Sequence, residues 1–414
     1  MKSYQSNINT KVSQDIDKIN KLGHKIHELN QQISKIEAGG IETAMDLRDE
    51  RDLALDQLGA LAKISYKEDY KGVVTVKLED EYFVDELHTY EIGKKTDKLT
   101  GFITPYWPQL SDTDRDIYVN VFDFNVDIST ALNSDVGELK ALIMSRGDHW
   151  ADYSDIEGKG EQEYLDTTNL SVIIDMQAKL DQMVHNMITA INDQLCPNVT
   201  GPVGVTYQDA NGNTVNLSDA KVLDTENCAR GSDGELPPRE LFVRAGIERY
   251  TEVTGSDGKT YYVYNEEDTS DTSYMYSLTS CGVNEELKKI ETLFPHLKQN
   301  GEVDQQLGER LEALWNKDLV GLDPTDPDEC NIEEYYQKMI GGLATVGNVY
   351  QKKAENLAGS VLTIENNRQQ VIGVSSDEEL QNMIKFQNAY NASSRFMTVI
   401  SDMIEHIVTR LGNG

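Results

Sequence analysis

An apolar stripe near the C-terminus constrains the fold of this chain more than any other feature. Between Asp377 and Leu411, large apolar residues recur at intervals of three and four, the spacing of one helix face. Covering such residues contributes about 1.5 to 3 kcal/mol each before entropy is subtracted. We therefore expect this helix to need partner helices, which favours an assembly subunit over an enzyme. The stripe residues are Met383, Phe386, Tyr390, Met397, Ile400, Ile404, Ile407 and Leu411, with Ser393 as a polar interruption.

A second apolar seam lies at the other end of the chain. Its positions alternate by three and four and, except for Asp15, are apolar, which predicts a long helix with heptad character. They are Ile8, Val12, Asp15, Ile19, Leu22, Ile26, Leu29, Ile33 and Ile36. Gly39-Gly40 should end this helix, and a further helix over 42–63 would complete a hairpin. Two alternatives remain open: the two end helices cover each other, or the C-terminal helix packs against other molecules.

The middle of the chain alternates between strand and helix patterns. Asp257-Gly258 separates the strand-like runs Tyr250 to Val253 and Tyr261 to Tyr264, which predicts a hairpin with a type I′ turn. Cys196-Pro197 should end a long helix. The predicted class is α+β and multi-domain, with a long helical bundle or coiled-coil module from both chain ends and β-rich inserted domains. The expected parts are a helical hairpin over 1–63, a small β-containing unit over 64–135, long helices over 136–196, a β-rich insertion over 197–283, short helices and an acidic linker over 284–328, and C-terminal helices over 329–414.

Charge and composition exclude some partners. The chain has 414 residues and a formal net charge of -33, so neither nucleic acid nor an anionic membrane is an expected partner. No apolar run approaches the length of a membrane span, and the start has no signal-peptide pattern. The four cysteines form no Cys-x-x-Cys pair. We expect buried thiols, with a Cys196 to Cys228 bridge as the weaker alternative.

Candidate chemistry is sparse in this sequence. His24 and His27 stand at i and i+3 on the first helix, but no motif completes a metal site, so solvated helix positions are the better interpretation. Phosphate-binding and nucleophile-elbow motifs are absent. We therefore predict no catalytic residues, no metal and no cofactor. A hydrolase within 197–283 is a remote alternative, and that stretch contains no histidine.

Several stretches resemble flagellar axial proteins. Glu378-Glu379 precedes a run from Phe386 to Ser393, Phe-Gln-Asn-Ala-Tyr-Asn-Ala-Ser, which closely resembles the C-terminus that these proteins share. Other stretches look like the hook-associated protein 1 family, which joins hook to filament. They are Ile26 to Ile33, Asp46 to Leu53, Gly137 to Arg146, and Tyr335 to Gly347.

This resemblance implies a structural, non-enzymatic subunit of the bacterial flagellum that self-assembles through its terminal helices. The implied partners are hook protein, the next hook-associated protein, copies of the chain itself, and an export chaperone that masks the C-terminal helix. The implied location is extracellular, after export without a cleaved signal peptide. The family normally begins with a long N-terminal segment, and this chain is expected to lack it. A flagellin is the main structural alternative, although Arg48 to Asp52 and Gly137 to Arg146 speak against it.

Overall fold

The computed structural model describes residues 1–40, 43–124, 137–210, 212–372 and 376–411, with the side chains of 371–378 and 402–411 left aside. The chain divides into two compact units, Met1–Leu343 and Ala344–Gly414. Long helices lie at both ends and strands dominate the middle, which confirms the predicted α+β class. In the described part, no helix is long and apolar enough to cross a membrane.

The helices follow the apolar periods of the sequence. They are α1 Lys2–Glu37, α2 Met45–Leu61, α3 Glu138–Arg146, α4 Glu161–Asp166, α5 Val172–Leu195, α6 Glu285–Lys289, α7 Gln305–Ala313, α8 Ile332–Ile372 and α9 Ser376–Leu411. α1 ends before Gly39-Gly40, and α5 ends before Cys196-Pro197, as predicted.

The strands form several small antiparallel sheets. The first contains β1 Ile64–Glu68, β2 Val74–Leu78 and β3 Glu81–Val84 in that order, and β4 Gly93–Thr96 pairs with β5 Ile103–Tyr106. In the β-rich middle, β6 Asn198–Thr200, β9 Lys221–Leu223, β11 Tyr250–Thr254 and β12 Thr260–Tyr264 form a sheet of order β11-β12-β9-β6. Two further pairs are β7 Thr206–Gln208 with β8 Thr214–Asn216, and β10 Phe242–Arg244 with β13 Cys281–Val283.

The apolar seam of α1 lies at the centre of the main hydrophobic core. Its residues from Ile8 to Ile33 are buried, and Asp15 is buried with them, whereas Ile36 at the end is 43% exposed. α2, α3 and the strands β3, β4 and β5 contact α1. Elements of the first unit therefore fill this seam, and they include the strands that follow the helical hairpin in the sequence.

Asparagine side chains of α1 take the place of a missing strand. Asn30 donates from Nδ2 to the carbonyl of Val74 at 2.8 Å and accepts at Oδ1 from the Val74 N–H at 3.1 Å. Asn20 makes the same pair of bonds with Ile92, at 3.0 and 2.9 Å. Each amide thus satisfies backbone groups that a neighbouring strand would otherwise bind.

Asn9, which is nearer the N-terminus of α1, makes a similar pair of bonds. Its amide donates to the carbonyl of Gly101 at 3.0 Å and accepts from the N–H of Ile103 at 2.8 Å. Arg146, at the end of α3, donates to Asn9 Oδ1 at 2.6 Å and to the Ile103 carbonyl at 2.9 Å. The three asparagines therefore attach α1 to β2, to the residue that precedes β4, and to the start of β5.

Two arginines of α2 fasten the helical hairpin to the first sheet. Arg48 binds Glu37 at the end of α1 through Nε and Nη2, at 2.7 and 2.6 Å, and Glu68 of β1 at 2.7 Å. These bonds from Arg48 lower the pKa of Glu37 to about 2. Arg51 is 2% exposed and donates to Asn30 Oδ1 at 3.1 Å. Arg48 and Arg51 thus form a structural clamp that holds α2 against α1 and the first sheet.

The hairpin turns differ from the sequence prediction. β11 and β12 pair as expected, but in the Asp257-Gly258 pair only Gly258 has a positive φ, 79°, so the predicted type I′ turn is wrong. The Gly255 N–H still bonds to the Lys259 carbonyl, which leaves a three-residue loop with glycine in the left-handed position. A two-residue turn with positive φ at both positions occurs instead at Glu79-Asp80.

Polar side chains of α5 hold the β-rich middle in place. Asp181 accepts from the N–H of Leu278 at 2.6 Å and from the hydroxyl of Ser277 at 3.0 Å. About three turns further along α5, Asn192 donates to the carbonyl of Phe242 at 2.8 Å and accepts from its N–H at 3.2 Å. All four cysteines are free thiols, so the alternative of a disulfide bridge within this region is wrong.

Candidate assembly helices

The first turns of α8 are anchored in the first unit. Tyr335 is 1% exposed, and its hydroxyl lies 2.9 Å from both the Lys179 carbonyl and Gln182 Oε1 of α5. The acidic linker takes part as well, because Asp323 pairs with Lys179 Nζ at 2.9 Å. Met339 closes this small core against apolar side chains of α5. α8 therefore begins from a fixed base.

Beyond this base, the side chains of α8 are exposed. Val349, Tyr350, Leu357, Val361 and Ile364 range from 46% to 66% exposed. α8 also contains four glycines, Gly341, Gly342, Gly347 and Gly359, and a Cβ placed on any of them would meet nothing within 4 Å. Glycine costs about 1 kcal/mol relative to alanine inside a helix. A helix with this composition is expected to gain much of its stability from packing against partners.

The predicted stripe lies on α9, and its described members face solvent. Met383 is 54% exposed, Phe386 70%, Tyr390 72% and Met397 67%. Ile400 is half-buried. The side chains of Ile404, Ile407 and Leu411 lie outside the described residues, so their part in the stripe stays a prediction. Apolar neighbours widen the exposed surface, namely Leu380, Ile384, Phe396 and Val399.

The exposed area of α9 sets the size of the driving force for association. At about 1.5 to 3 kcal/mol per large apolar side chain, covering Met383, Phe386, Tyr390 and Met397 would contribute roughly 4 to 8 kcal/mol once their existing burial is discounted. Monomeric surfaces scatter their exposed apolar residues singly, whereas contiguous apolar surfaces mark interaction sites. We call the eight predicted stripe residues, from Met383 to Leu411, the α9 stripe.

The remaining chemical candidates have structural partners. His24 Nε2 lies 2.6 Å from Glu91 Oε1, and His27 contacts the Asp85 carbonyl and the side chain of Gln31. Within the described residues, no group of three or more histidine, cysteine or acidic side chains could hold a metal ion.

Glu240 is a buried acid of the β-rich middle. It is 6% exposed, and this burial raises its pKa to about 6. The Tyr276 hydroxyl donates to it at 2.5 Å, and Arg249 lies 3.8 Å away. Asn192 of α5 also donates to it, at 3.2 Å. Glu240 thus belongs to the polar network that joins this region to α5.

Two family models match the chain. Residues 1–206 match the helical domain of the flagellar hook-associated protein FlgK. Residues 369–410, which include most of α9, match the C-terminal region of the flagellar basal body rod proteins FlgEFG. The second match covers the described part of the α9 stripe.

Individual relatives have the same description. Flagellar hook-associated protein 1 of Bacillus subtilis strain 168 is 23% identical over 430 aligned residues, which cover 99% of this chain and 67% of that protein. The flagellar hook junction protein FlgK of Burkholderia pseudomallei is 13% identical, with a TM-score of 0.45, over 90% of this chain and 86% of that structure. Residues 1–206 of this chain therefore have the helical domain of flagellar hook-associated protein FlgK, and the chain as a whole is similar to that protein.

Proposed function

We propose that this chain is the structural subunit that joins the flagellar hook to the filament, and that it assembles through its terminal helices. The observation that carries the proposal is the α9 stripe, a solvent-facing row of large apolar side chains in a chain that also has the FlgK helical domain in residues 1–206. Such a row has no role in an isolated molecule but would be buried between packed helices. The subunit would act without catalysis.

The α9 stripe would bind different partners before and after export. Before export, a cytoplasmic chaperone that binds the α9 stripe would keep it from associating, because a ligand of one state stabilises that state by mass action. After export without a cleaved signal peptide, copies of the chain, hook protein and the next hook-associated protein would cover the stripe outside the cell. The site residues are then Met383, Phe386, Tyr390, Met397, Ile400, Ile404, Ile407 and Leu411.

A flagellin is the alternative within the same structural class. The match of residues 1–206 to a FlgK helical domain favours the junction role over a flagellin. A hydrolase in residues 197–283 gains no support, because Glu240 is engaged by Tyr276 and Asn192.

Substitutions on α9 test the proposal. Phe386→Ser/Tyr390→Ser/Met397→Ser removes three members of the α9 stripe and should abolish filament attachment and reduce chaperone binding at least about tenfold. Asn388→Ser/Asn391→Ser/Thr398→Ser is the matched control, because it changes polar side chains of the same helix. Chaperone binding is measured by titration calorimetry and attachment by electron microscopy of cells.

Fluorescent labelling of the wild-type chain in intact cells gives the second readout. The expected signal is a single position at the base of each filament. A signal along the whole filament would favour the flagellin alternative. Normal attachment and chaperone binding by the triple serine variant would refute the role of the α9 stripe.

A further inference from the structure

The β-rich middle is attached to α5 by side chains on one face of that helix. Asp181, His185 and Asn192 follow one another at intervals of four and seven residues, which places them on the same side of α5. They are 3%, 9% and 0% exposed. Asp181 binds the N–H of Leu278, and Asn192 binds the N–H of Phe242. We call the contact of these three side chains with the β-rich middle the α5 joint.

Glu240 brings a buried carboxylate to the α5 joint from the side of the β-rich middle. It accepts from Asn192 Nδ2 at 3.2 Å and from the hydroxyl of Tyr276. The guanidinium of Arg249 lies 3.8 Å from the carboxylate and is shared with Asp193 of α5. Burial therefore outweighs this attraction and raises the pKa of Glu240 to about 6. The other charged or titratable groups that face Glu240 are Arg244, Glu248 and Cys196.

His185 adds a second titratable group to the α5 joint. Its ring is stacked on that of Tyr153, with the ring centres 3.8 Å apart, and its buried Nδ1 has no hydrogen-bond partner among the described residues. Oε2 of Glu267 lies 3.8 Å from Nδ1, within ion-pair distance but too far for a hydrogen bond. An imidazolium donates from both ring nitrogens, so protonation would attract Glu267 to α5. The other titratable groups nearby are Asp181, whose pKa burial also raises, Asp152 and Cys281.

We propose that the α5 joint is a pH-sensitive attachment, which holds the β-rich middle more firmly in mildly acidic than in neutral solution. Glu240 loses its charge when it takes up a proton, so its burial no longer opposes docking. His185 gains a charge when it takes up a proton, and that charge lies beside Glu267. Both protonations favour the docked form. The proposal goes beyond the junction role and does not depend on it.

The proton balance of Glu240 gives the direction and the size of the effect. In the docked form its pKa is about 6, whereas in an undocked form, with the β-rich middle separated from α5, water would return it to its ordinary 4.5. The docked form therefore binds more protons between these two values, and undocking is suppressed as the pH falls. From about pH 7.5 to about pH 5, this difference lowers the equilibrium constant of undocking about five- to tenfold.

Hydrogen exchange of the amides that α5 protects tests the pH dependence. The N–H groups of Phe242 and Leu278 bind side chains of α5, so their exchange reports undocking. Exchange of the full chain is measured from about pH 5 to about pH 7.5 and corrected for the intrinsic effect of pH on amide exchange. Protection of both amides should rise about five- to tenfold toward the acidic end. The amide of Val74, which α1 holds in a separate core, is the internal reference.

Neutral substitutions identify the groups involved. Glu240→Gln replaces the carboxylate with an uncharged amide of similar shape, so the Phe242 amide should keep its acidic protection over the whole pH range. His185→Gln should reduce the change at Leu278, because glutamine takes up no proton beside Glu267. Glu252→Gln, at an exposed carboxylate of β11, is the matched control and should follow the wild type.

The wild-type protein alone decides the direction, so a variant that fails to fold does not prevent the test. Protection of Phe242 and Leu278 that stays constant or falls on acidification would overturn the proposal. An equal pH dependence in Glu240→Gln and the wild type would overturn it as well. Neither result bears on the junction role, which is decided by filament attachment and labelling in cells.

Discussion

Asn30 offers the sharpest test of how α1 supports the strands. It is 2% exposed, its amide makes both bonds to Val74, and it accepts a third bond from Arg51. Asn30→Ala would leave three buried polar groups without these partners. At about 1 to 1.5 kcal/mol for each lost bond, we expect the free energy of unfolding to fall by about 3 to 5 kcal/mol.

The assay is denaturant unfolding followed by tryptophan fluorescence. Trp107 is 1% exposed and belongs to the same core as α1, so its emission reports loss of that core. Hydrogen exchange of the Val74 amide supplies a local measure and should accelerate in parallel.

Two matched variants calibrate the result. Asn20→Ala removes the same pair of bonds at a half-buried position and should cost about 1 to 2 kcal/mol, because water can replace part of what is lost. Asn7→Ala changes an exposed asparagine of the same helix and should be near neutral. If Asn30→Ala unfolds within about 0.5 kcal/mol of Asn7→Ala, the amide bonds do not hold the strands.

Two further predictions concern the helix junctions. Because Arg48 lowers the pKa of Glu37 to about 2, the ionised carboxylate adds stability that is complete above its ordinary pKa of 4.5 and is lost as the pH falls toward 2. Glu37→Gln should flatten this part of the acid-unfolding curve, and an unchanged curve would contradict the assignment. Tyr335→Phe removes the hydroxyl from Lys179 and Gln182 and should lower the free energy of unfolding by about 1 to 2 kcal/mol, as measured by hydrogen exchange of the first turn of α8. The exposed neighbour Tyr336→Phe is its control, and equal exchange in the two variants would contradict this role.

Helices with local signals could be predicted from the sequence. The α1 seam and its terminating glycines lie within one stretch of chain, as does the apolar spacing of α9, and both helices are present. What covers each seam depends on distant residues. The bonds of Asn30 and Asn20 join positions 44 and 72 residues apart, and nothing near either asparagine indicates them.

Turn geometry was predictable only in part. Asp257-Gly258 has the composition of a type I′ turn, yet the strand register is shifted by one residue, so that Thr254 pairs with Thr260 and a three-residue loop remains. Glu79-Asp80 adopts positive φ at both positions without glycine, because Leu78 and Glu81 are held in register by the sheet. Tertiary pairing overrides local preference in both cases.

In the candidate assembly helices and the core beside them, too, only features with a local sequence signal were predictable. Helical spacing identified Met383, Phe386, Tyr390 and Met397, and the structure places these side chains in solvent. Burial of Arg51 was hidden, since an arginine between acidic residues resembles a solvated position.

The asparagines of α1 also bear on how the protein avoids aggregation. Asn9, Asn20 and Asn30 stand about 16 and 15 Å apart along the helix axis, at 1.5 Å per residue, and each occupies backbone groups to which a foreign strand could otherwise pair. Strands whose free groups are turned toward a helix give an incoming chain no template. If α1 detached, these groups near Val74, Ile92 and Ile103 would be exposed together. Loss of one helix would then convert a protected fold into one open to edge-to-edge association.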